Sequence, residues 1–525
     1  MQIIGKRTQR FDIEGKMYTD ITNAKNGSQI PLCGSLSIHS KYNPEREAES
    51  FAAEIQSDCN FFIILGIGGG YHIEALKKRF PKAKIIATEC SKQALDYISN
   101  ISVCETLRKN SDIKLTSLEN LSETIISEYK PAIHGNITIL PIRQWERIFA
   151  EAAEEAKKII KDSLKIISAD FSVQSHFGKI WQKNIFENLK IASESKISAK
   201  RILDTIPSEK IAAIIAAGPS LNSSYEILKN NRSEYYIIAT DTAFGALLKR
   251  GITADAVVSV DGQILSHHHY MHKLSEDTMF IFDLCANPAS VRKTIEAGCK
   301  TIFAETGHPL SQYASNYTGE KTFIHLNAGS GTVTIAAASF AKIAGFTKMQ
   351  FFGADFSYIG GCAYTKGTYF DTLYRMNENK IHNAETTFTN LLYRTEIKKI
   401  SENQFTTEIL ESYKTSLKDF LLKNGWQKTD KKGVVIEFKI EKNNKIQENL
   451  SNQNFSYEHF ISHYKKNLTK FNENELAEKL QNTEFLTLLP LCAWVENKKN
   501  LLKFNQNKNS LLLAYSKTLG YTKTL

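Results

Sequence analysis

Six short apolar runs between Ile211 and Phe352 constrain this 525-residue chain more than any other feature. They are Ile211–Ala216, Tyr235–Thr240, Ala256–Val260, Met279–Leu284, Thr301–Ala304 and Met349–Phe352, with helical or loop segments between them. Runs of this length suit strands, and strands that are apolar throughout need cover on both faces, which crossover helices supply. The pattern predicts an α/β fold with a mostly parallel sheet, a design that binds ligands beyond the carboxyl ends of its strands.

A chain this long exceeds what one core usually supports, so more than one domain is expected. Near the N-terminus, the apolar run Phe61–Leu65 leads into Gly66-Ile67-Gly68-Gly69-Gly70, an amphipathic stretch Tyr71–Arg79, and a second run, Lys84–Thr88, that closes on Glu89. This spacing predicts a smaller Rossmann-like unit. Its glycines either let a ligand approach the backbone or merely permit a tight turn and close helix packing. From Trp145 to Leu203 helical spacing predominates, and beyond Thr386 the chain is rich in Lys, Glu and Asn with helical periodicity and one expected strand near Val434–Phe438. The expected division is an N-terminal α/β domain over 1–145, a helical connector over 146–208, a ligand-binding domain over 209–385, and a mainly helical C-terminal domain over 386–525.

Composition narrows the function classes. The net charge of +10 arises from 66 basic and 56 acidic residues without a run of like charges, so nucleic acid is not an expected partner. Eight scattered cysteines form no C-x-x-C pair and read as reduced thiols. Charge interrupts the opening sixteen residues before a leader-like apolar core develops, and no run has membrane-spanning length. A cytoplasmic protein with no membrane partner is expected.

Four segments carry candidate chemistry. The first strand runs into Gly218-Pro219-Ser220, where exposed amides can face phosphate or ribose oxygens, or simply turn the chain. The next two strands end in Asp241-Thr242 and Asp261, either hydrogen-bond acceptors for ribose or base, or helix caps and turn residues. Asn327-Ala328-Gly329-Ser330-Gly331-Thr332 opens the alanine-rich stretch Val333–Ala344 and offers amides and hydroxyls to an anion, or an N-cap. Finally, Gly353-Ala354-Asp355-Phe356-Ser357-Tyr358 precedes a glycine turn and Tyr364, and phenolic hydroxyls there can assist a departing phosphate or only pack. His267-His268-His269 with His272 is a rival metal site, although adjacent histidines fan out on a helix and alternate on a strand.

Taken in order, AAGPSL, the Asp241 and Asp261 strand ends, GSGTVTIAAASFAKIAGF and FFGADFSYIGGCAY resemble the motility associated factor (Maf) family. More distantly they resemble the bacterial CMP-sialic acid-dependent sialyltransferases. Ser40–Ala48 and Gly66–Tyr71 are similar to the Maf N-terminal region. The resemblance implies a central Rossmann-like, sialyltransferase-like parallel-sheet domain, a GT-A-like variant. It further implies O-glycosylation of flagellin Ser or Thr with a nonulosonic acid of the pseudaminic or legionaminic type, taken from a CMP-activated donor. On that resemblance Gly218, Pro219, Ser220, Asp241, Thr242, Asp261, Gly329, Ser330, Gly331 and Thr332 border the donor, and Tyr358 and Tyr364 meet its phosphate. His382 becomes the candidate general base and Asp355 the second catalytic candidate. Ser357 is an insertion relative to the sialyltransferases and displaces Tyr358. No metal and no tightly bound cofactor are expected.

Other readings stay open. An archaeal 6-hydroxymethylpterin diphosphokinase-like domain using Mg-ATP resembles residues 210–370, and that class does not depend on a Walker loop. A flagellin-binding adaptor and a methyltransferase built on Gly66–Gly70 and Glu89 are further alternatives.

Overall fold

The structure is a computed structural model that describes residues 17–56, 59–195, 197–329, 331–376, 395–429, 436–440, 450–451, 454–469, 483–498 and 508–524. The chain forms two compact units, one of residues 1–176 with 492–511 and one of 177–491 with 512–525. The long helix Ala150–Ser195 contributes to both.

The first unit opens with a three-stranded antiparallel sheet, β1 (Asp20–Asn23), β2 (Gln29–Cys33) and β3 (Leu36–Ser37). Asn43 caps the following helix, Pro44–Glu54, by accepting from the Arg46 amide, with proline at its first turn where no donor is needed. Then come β4 (Phe61–Leu65), β5 (Lys84–Glu89), β6 (Ile113–Ser117) and β7 (Thr138–Pro141), hydrogen-bonded in the order β6-β5-β4-β7, all parallel. All five β4 side chains are buried, as expected for a parallel strand covered on both faces.

The second unit is built on a nine-stranded sheet. In chain order its strands are β8 (Ile211–Ile215), β9 (Tyr235–Thr240), β10 (Ala256–Ser259), β11 (Met279–Asp283), β12 (Thr301–Glu305), β13 (Ile324–His325) and β14 (Lys348–Phe352). These seven are parallel, in the spatial order β13-β12-β11-β10-β9-β8-β14. All six sequence-predicted runs are therefore strands, and the fold is α/β. The strand order reverses between β9 and β14, on either side of β8, and a crevice forms at such a switch point.

A small antiparallel sheet follows, β15 (Tyr358–Ile359), β16 (Lys398–Ser401) and β17 (Gln404–Thr406). The expected strand near 434–438 is present, but its place differs from a separate helical domain. With β18 (Trp426–Thr429), strand β19 (Ile436–Ile440) extends the central sheet antiparallel to β14. The helix Glu408–Lys423 sends Leu417, Phe420 and Leu421 into the same core as Ile214, Ile238, Val258 and Phe340. Helical periodicity in this region is real, yet its apolar stripe is spent on the central sheet. Each fully buried Ile or Phe here contributes roughly 1.5–3 kcal/mol, so these additions are integral to the unit.

The helix Val333–Ile343 packs into the same core, with Ala336, Ala337 and Ala338 fully buried. Small side chains let it lie close on β8, β9 and β10.

Candidate functional site

Two turns meet at the end of β8. Gly218 approaches so closely that a Cβ there would lie 2.4 Å from both Gly353 O and Asp355 Oδ2. The Gly218 amide donates to Gly353 O at 2.8 Å, and the Ser220 amide donates to Asp355 Oδ2 at 2.8 Å. The Ser220 hydroxyl donates to the other Asp355 oxygen, so this one carboxylate takes both donors that Ser220 has to offer. Phe356 next to it sits in the left-handed region at φ 47°, a conformation costing a non-glycine residue about 1–2 kcal/mol, held by Thr406 Oγ1 donating to its carbonyl at 3.1 Å.

The segment after the glycine turn returns to the same place. The Thr365 amide donates to Ala217 O at 2.8 Å, and its hydroxyl donates to Asn222 Oδ1 at 2.8 Å and meets the Tyr225 hydroxyl at 2.9 Å. Arg250 stacks 3.9 Å over the Tyr225 ring. Tyr364 is thereby anchored beside the Gly218–Ser220 turn, with its ring stacked on Phe370 at 4.9 Å.

At the ends of β9 and β10 lie Asp241 and Asp261. Asp241, 2% exposed, accepts from the Thr242 amide at 2.7 Å and hydroxyl at 3.1 Å, and from the Ser259 hydroxyl at 2.7 Å. Asp261 accepts from the Gln263 amide at 2.9 Å, and burial pushes its carboxyl up. Both carboxylates thus bond nearby backbone amides, Asp241 as the first residue of its helix and Asp261 in a turn, and neither is a helix N-cap. Beyond them the 3₁₀ helix Ile264–Tyr270 turns His269 inward, 6% exposed. Burial lowers the His269 pKa, while the charges of Asp241 and Asp261 pull it back up. The Tyr369 ring stands edge-on to His269 at 4.4 Å, and its hydroxyl is held protonated by burial and by Tyr364, Asp261, Tyr374 and Asp241.

The loops bearing these groups are clamped from behind. Asn184 and Asn188, both buried on the long helix, each give their two amide hydrogens to backbone carbonyls. Asn184 donates to Gly262 O at 3.0 Å and Cys285 O at 2.9 Å, and Asn188 to Leu284 O at 2.9 Å and Ala286 O at 2.8 Å. The Asn287 amide then donates to Asp261 O at 3.1 Å.

The structure therefore brings together Gly218, Pro219, Ser220 and Asp355 in one cluster, and Asp241, Asp261 and Tyr369 around His269, with Thr242 bonded to Asp241 and Tyr364 linked to Tyr369 through the Phe370 ring. Tyr358 lies on β15, paired with Phe405, and β15 runs along the Pro219–Ser223 turn, so Tyr358 belongs to the first cluster. Gly329 abuts Ile335 and Ser416, and the Thr332 backbone carbonyl accepts from the Ile335 amide at 3.2 Å at the start of its helix, with no cap from its hydroxyl. No hydrogen bond or ring contact among the described residues ties Gly329, Gly331 or Thr332 to the aspartates. Ser330 and His382 lie outside the described residues. Sequence reading took His269 only as part of a rival metal cluster and did not single out Tyr369, because which of three adjacent histidines turns inward is set by the 3₁₀ turn and its packing.

The first unit's glycine turn is filled by the protein itself. Glu89, fully buried, accepts from Ile67 N at 3.2 Å, Gly68 N at 3.3 Å, the Tyr18 hydroxyl at 3.0 Å, Cys90 N at 3.0 Å and the Trp145 indole. His39 Nε2 accepts from the Gly69 amide at 2.7 Å. A Cβ on Gly66 would lie 2.4 Å from the Trp145 ring and one on Gly68 2.5 Å from His39. The glycines serve close packing at this turn. His39, Glu47 and His72 bring three potential ligand atoms within 4.8 Å of one another. Because His39 Nε2 is an acceptor, its proton sits on Nδ1, and a metal at Nδ1 would have to displace it.

Residues 183–361 match the family model described as 6-hydroxymethylpterin diphosphokinase MptE-like, so the central sheet carries an MptE-like domain. An uncharacterized protein of Treponema pallidum (strain Nichols) is 36% identical over 151 residues, 29% of this chain and 70% of that protein. The chain belongs to the same family as that protein. A second Treponema pallidum protein is 37% identical over 149 residues, and the alignment spans only about half of it, 52%. A solved structure of a MAf glycosyltransferase from Magnetospirillum magneticum AMB-1 aligns with 97% of this chain and 86% of that chain, at 12% identity and a TM-score of 0.44. No described helix is long and apolar enough to cross a membrane.

Proposed function

We propose that the protein is a nucleotide-sugar-dependent glycosyltransferase acting at the crevice beyond β8, β9 and β10. The observation that carries this reading is the gathering of a buried histidine, two aspartates and a tyrosine held protonated by burial beyond the carboxyl ends of β9 and β10. In the finer form suggested by the motifs, the donor is a CMP-activated nonulosonic acid, the acceptor is a Ser or Thr hydroxyl of flagellin, and the reaction takes place in the cytoplasm.

In this mechanism the acceptor oxygen attacks the anomeric carbon, the bond from that carbon to the phosphate oxygen breaks, and CMP leaves with the electron pair. His269, kept neutral by burial, is the base that takes the hydroxyl proton, and Asp241 and Asp261 stabilise the imidazolium that results. Tyr364 and Tyr369 donate to the phosphate oxygens as charge develops there, and burial keeps the Tyr369 proton in place for that role. Asp355 holds the Gly218–Ser220 turn instead of acting on substrate.

Calorimetry with CMP tests the donor half of this proposal. Tyr364→Phe keeps the stack on Phe370 and removes one donor, so CMP affinity is expected to fall about tenfold, the value of one hydrogen bond to a charged group. Unchanged flagellin mass and normal motility in a strain lacking the protein would remove flagellin as acceptor.

The MptE-like match favours one second reading, pyrophosphate transfer from ATP, with Asp241 and Asp261 as magnesium ligands. Both Asp241 oxygens already accept hydrogen bonds, which fits a metal less well than it fits a positioning role. Magnesium-dependent ATP binding without CMP binding would select this alternative.

A further inference from the structure

We propose that the exposed ridge Leu265–His268–Met271, at the mouth of the crevice, docks an extended, acidic stretch of the acceptor polypeptide. This inference rests on the reading of the site as a protein-directed transferase.

The 3₁₀ helix Ile264–Tyr270 is seven residues long, and side chains three apart on such a helix eclipse one another. One row, Ser266 and His269, is buried toward the aspartates. The row beside it, Leu265, His268 and Met271, faces solvent along its whole length. Leu265 is 50% exposed, Met271 60%, and neighbouring Ile264 68%. Single exposed apolar residues need no explanation, but three within eight positions on one turn form a patch. Aqueous exposure of these side chains is a cost that a soluble surface ordinarily avoids, and methionine adapts its shape to varied partners.

The occupant follows from spacing, charge and position. Residues three apart on a 3₁₀ helix stand about 6 Å apart, and alternate side chains of an extended peptide stand about 6.6 Å apart. An extended segment can therefore set every second side chain against this ridge. Lys293 acts on His267 and Lys249 acts on His272, so the flanks are positive and favour an acidic segment. His268 stacks 5.9 Å from Tyr369, which itself touches His269, so a peptide lying on the ridge passes its hydroxyls next to the reacting centre.

The test uses the full chain and a permanently unfolded acidic probe, dye-labelled reduced and carboxymethylated α-lactalbumin, followed by fluorescence anisotropy. Leu265→Asp with Met271→Asp is expected to weaken probe binding at least tenfold with CMP affinity and melting temperature unchanged. If that pair disturbs folding, Leu265→Ser with Met271→Ser is expected to weaken binding about threefold with normal melting. Failure of the wild-type chain to bind the probe, or equal binding by a folded variant, overturns the proposal. A wild-type dimer that the substitutions convert to monomer, with no probe binding by either, overturns it in favour of a contact between copies. Probe binding that depends on the ridge in a chain that does not bind CMP leaves the docking inference standing and removes the donor reading instead.

Discussion

Replacing Glu89 by Gln should open the first unit, and the structure says by how much. The carboxylate receives five donors: Ile67 N, Gly68 N and the Tyr18 hydroxyl on Oε2, Cys90 N and the Trp145 indole on Oε1. An amide of the same shape keeps one oxygen, which settles toward the three-donor side. Its NH₂ then faces two further N–H groups in a fully buried place. Each donor left without an acceptor costs about 1–3 kcal/mol, so stranding two should cost about 2–6 kcal/mol. That is a large share of the 5–15 kcal/mol typical of a domain. Hydrogen exchange on the full chain should show faster exchange across 61–89, with the strands of the second unit unaffected. Trp145→Phe removes one of the two competing donors, so it should cost less in the Glu89→Gln background than in the wild type, by about 1–2 kcal/mol. A loss below about 0.5 kcal/mol for Glu89→Gln, or strict additivity of the pair, would refute the donor accounting.

Three other outcomes are expected. His269→Gln should lower transfer by about 10²–10⁴-fold while CMP binding changes little, the range for a lost general base, as read by turnover and calorimetry on the same sample. Asp355→Asn should free one Ser220 donor and cost about 1–2 kcal/mol in urea unfolding, with a smaller loss of transfer than His269→Gln. Acidification from pH 6.5 to 5 should loosen the first unit before the second in hydrogen exchange. Burial holds His72 at about 4 and His134 at about 3, and lowers His39, so there the unfolded state alone takes up protons below its ordinary pKa. Stability then falls with pH by up to about 1.4 kcal/mol per unit per histidine. In the second unit His308, at about 3, and His269, lowered by burial, act the same way, with smaller additions from the more exposed His267 and His272. There, however, buried Asp283, raised to about 6, and Asp261, raised by burial, take up protons in the folded state and offset them. Glu47 and Asp170, raised by burial, oppose the trend in the first unit closer to their own range.

The sheet was legible because length and burial coincide: Ile211–Ile215 and Tyr235–Thr240 are apolar at nearly every position, too short for helices and rich in β-branched and aromatic residues, which suits strands covered on both faces. Strand β13, two residues long at the sheet edge, leaves no such trace. Strands β18 and β19 were harder to place for another reason, since a hairpin's sheet partner is chosen by tertiary packing and not by its own alternation. Asp241 and Asp261 could be found from their positions at strand ends. His269 could not, because its direction depends on a 3₁₀ turn that nothing in Ser-His-His-His specifies. Nor does the sequence tell which donors a turn has already committed, and Ser220 and Gly68 both read as open amides.

That last point bears on how a donor phosphate is bound. In both units a strand runs into a glycine turn, and in both an acidic residue from elsewhere in the fold occupies the turn's donors: Glu89 at Ile67 and Gly68, Asp355 at Ser220. A carboxylate there competes with a phosphate for the same hydrogens and repels it. In the first unit the Trp145 and His39 side chains lie where Cβ atoms on Gly66 and Gly68 would go, which leaves the turn no role as a phosphate cradle. In the second unit the tyrosine hydroxyls of 364 and 369 are uncharged groups able to donate, on the segment that Thr365 pins to Ala217. The proposed chemistry therefore depends on that segment more than on the turn. Thr365→Val, which keeps volume and loses the hydroxyl that holds Asn222 and Tyr225, should weaken CMP binding several-fold with the Gly218–Ser220 turn intact. Undiminished CMP affinity in Thr365→Val, together with a strong loss in Ser220→Ala, would return the phosphate to the turn.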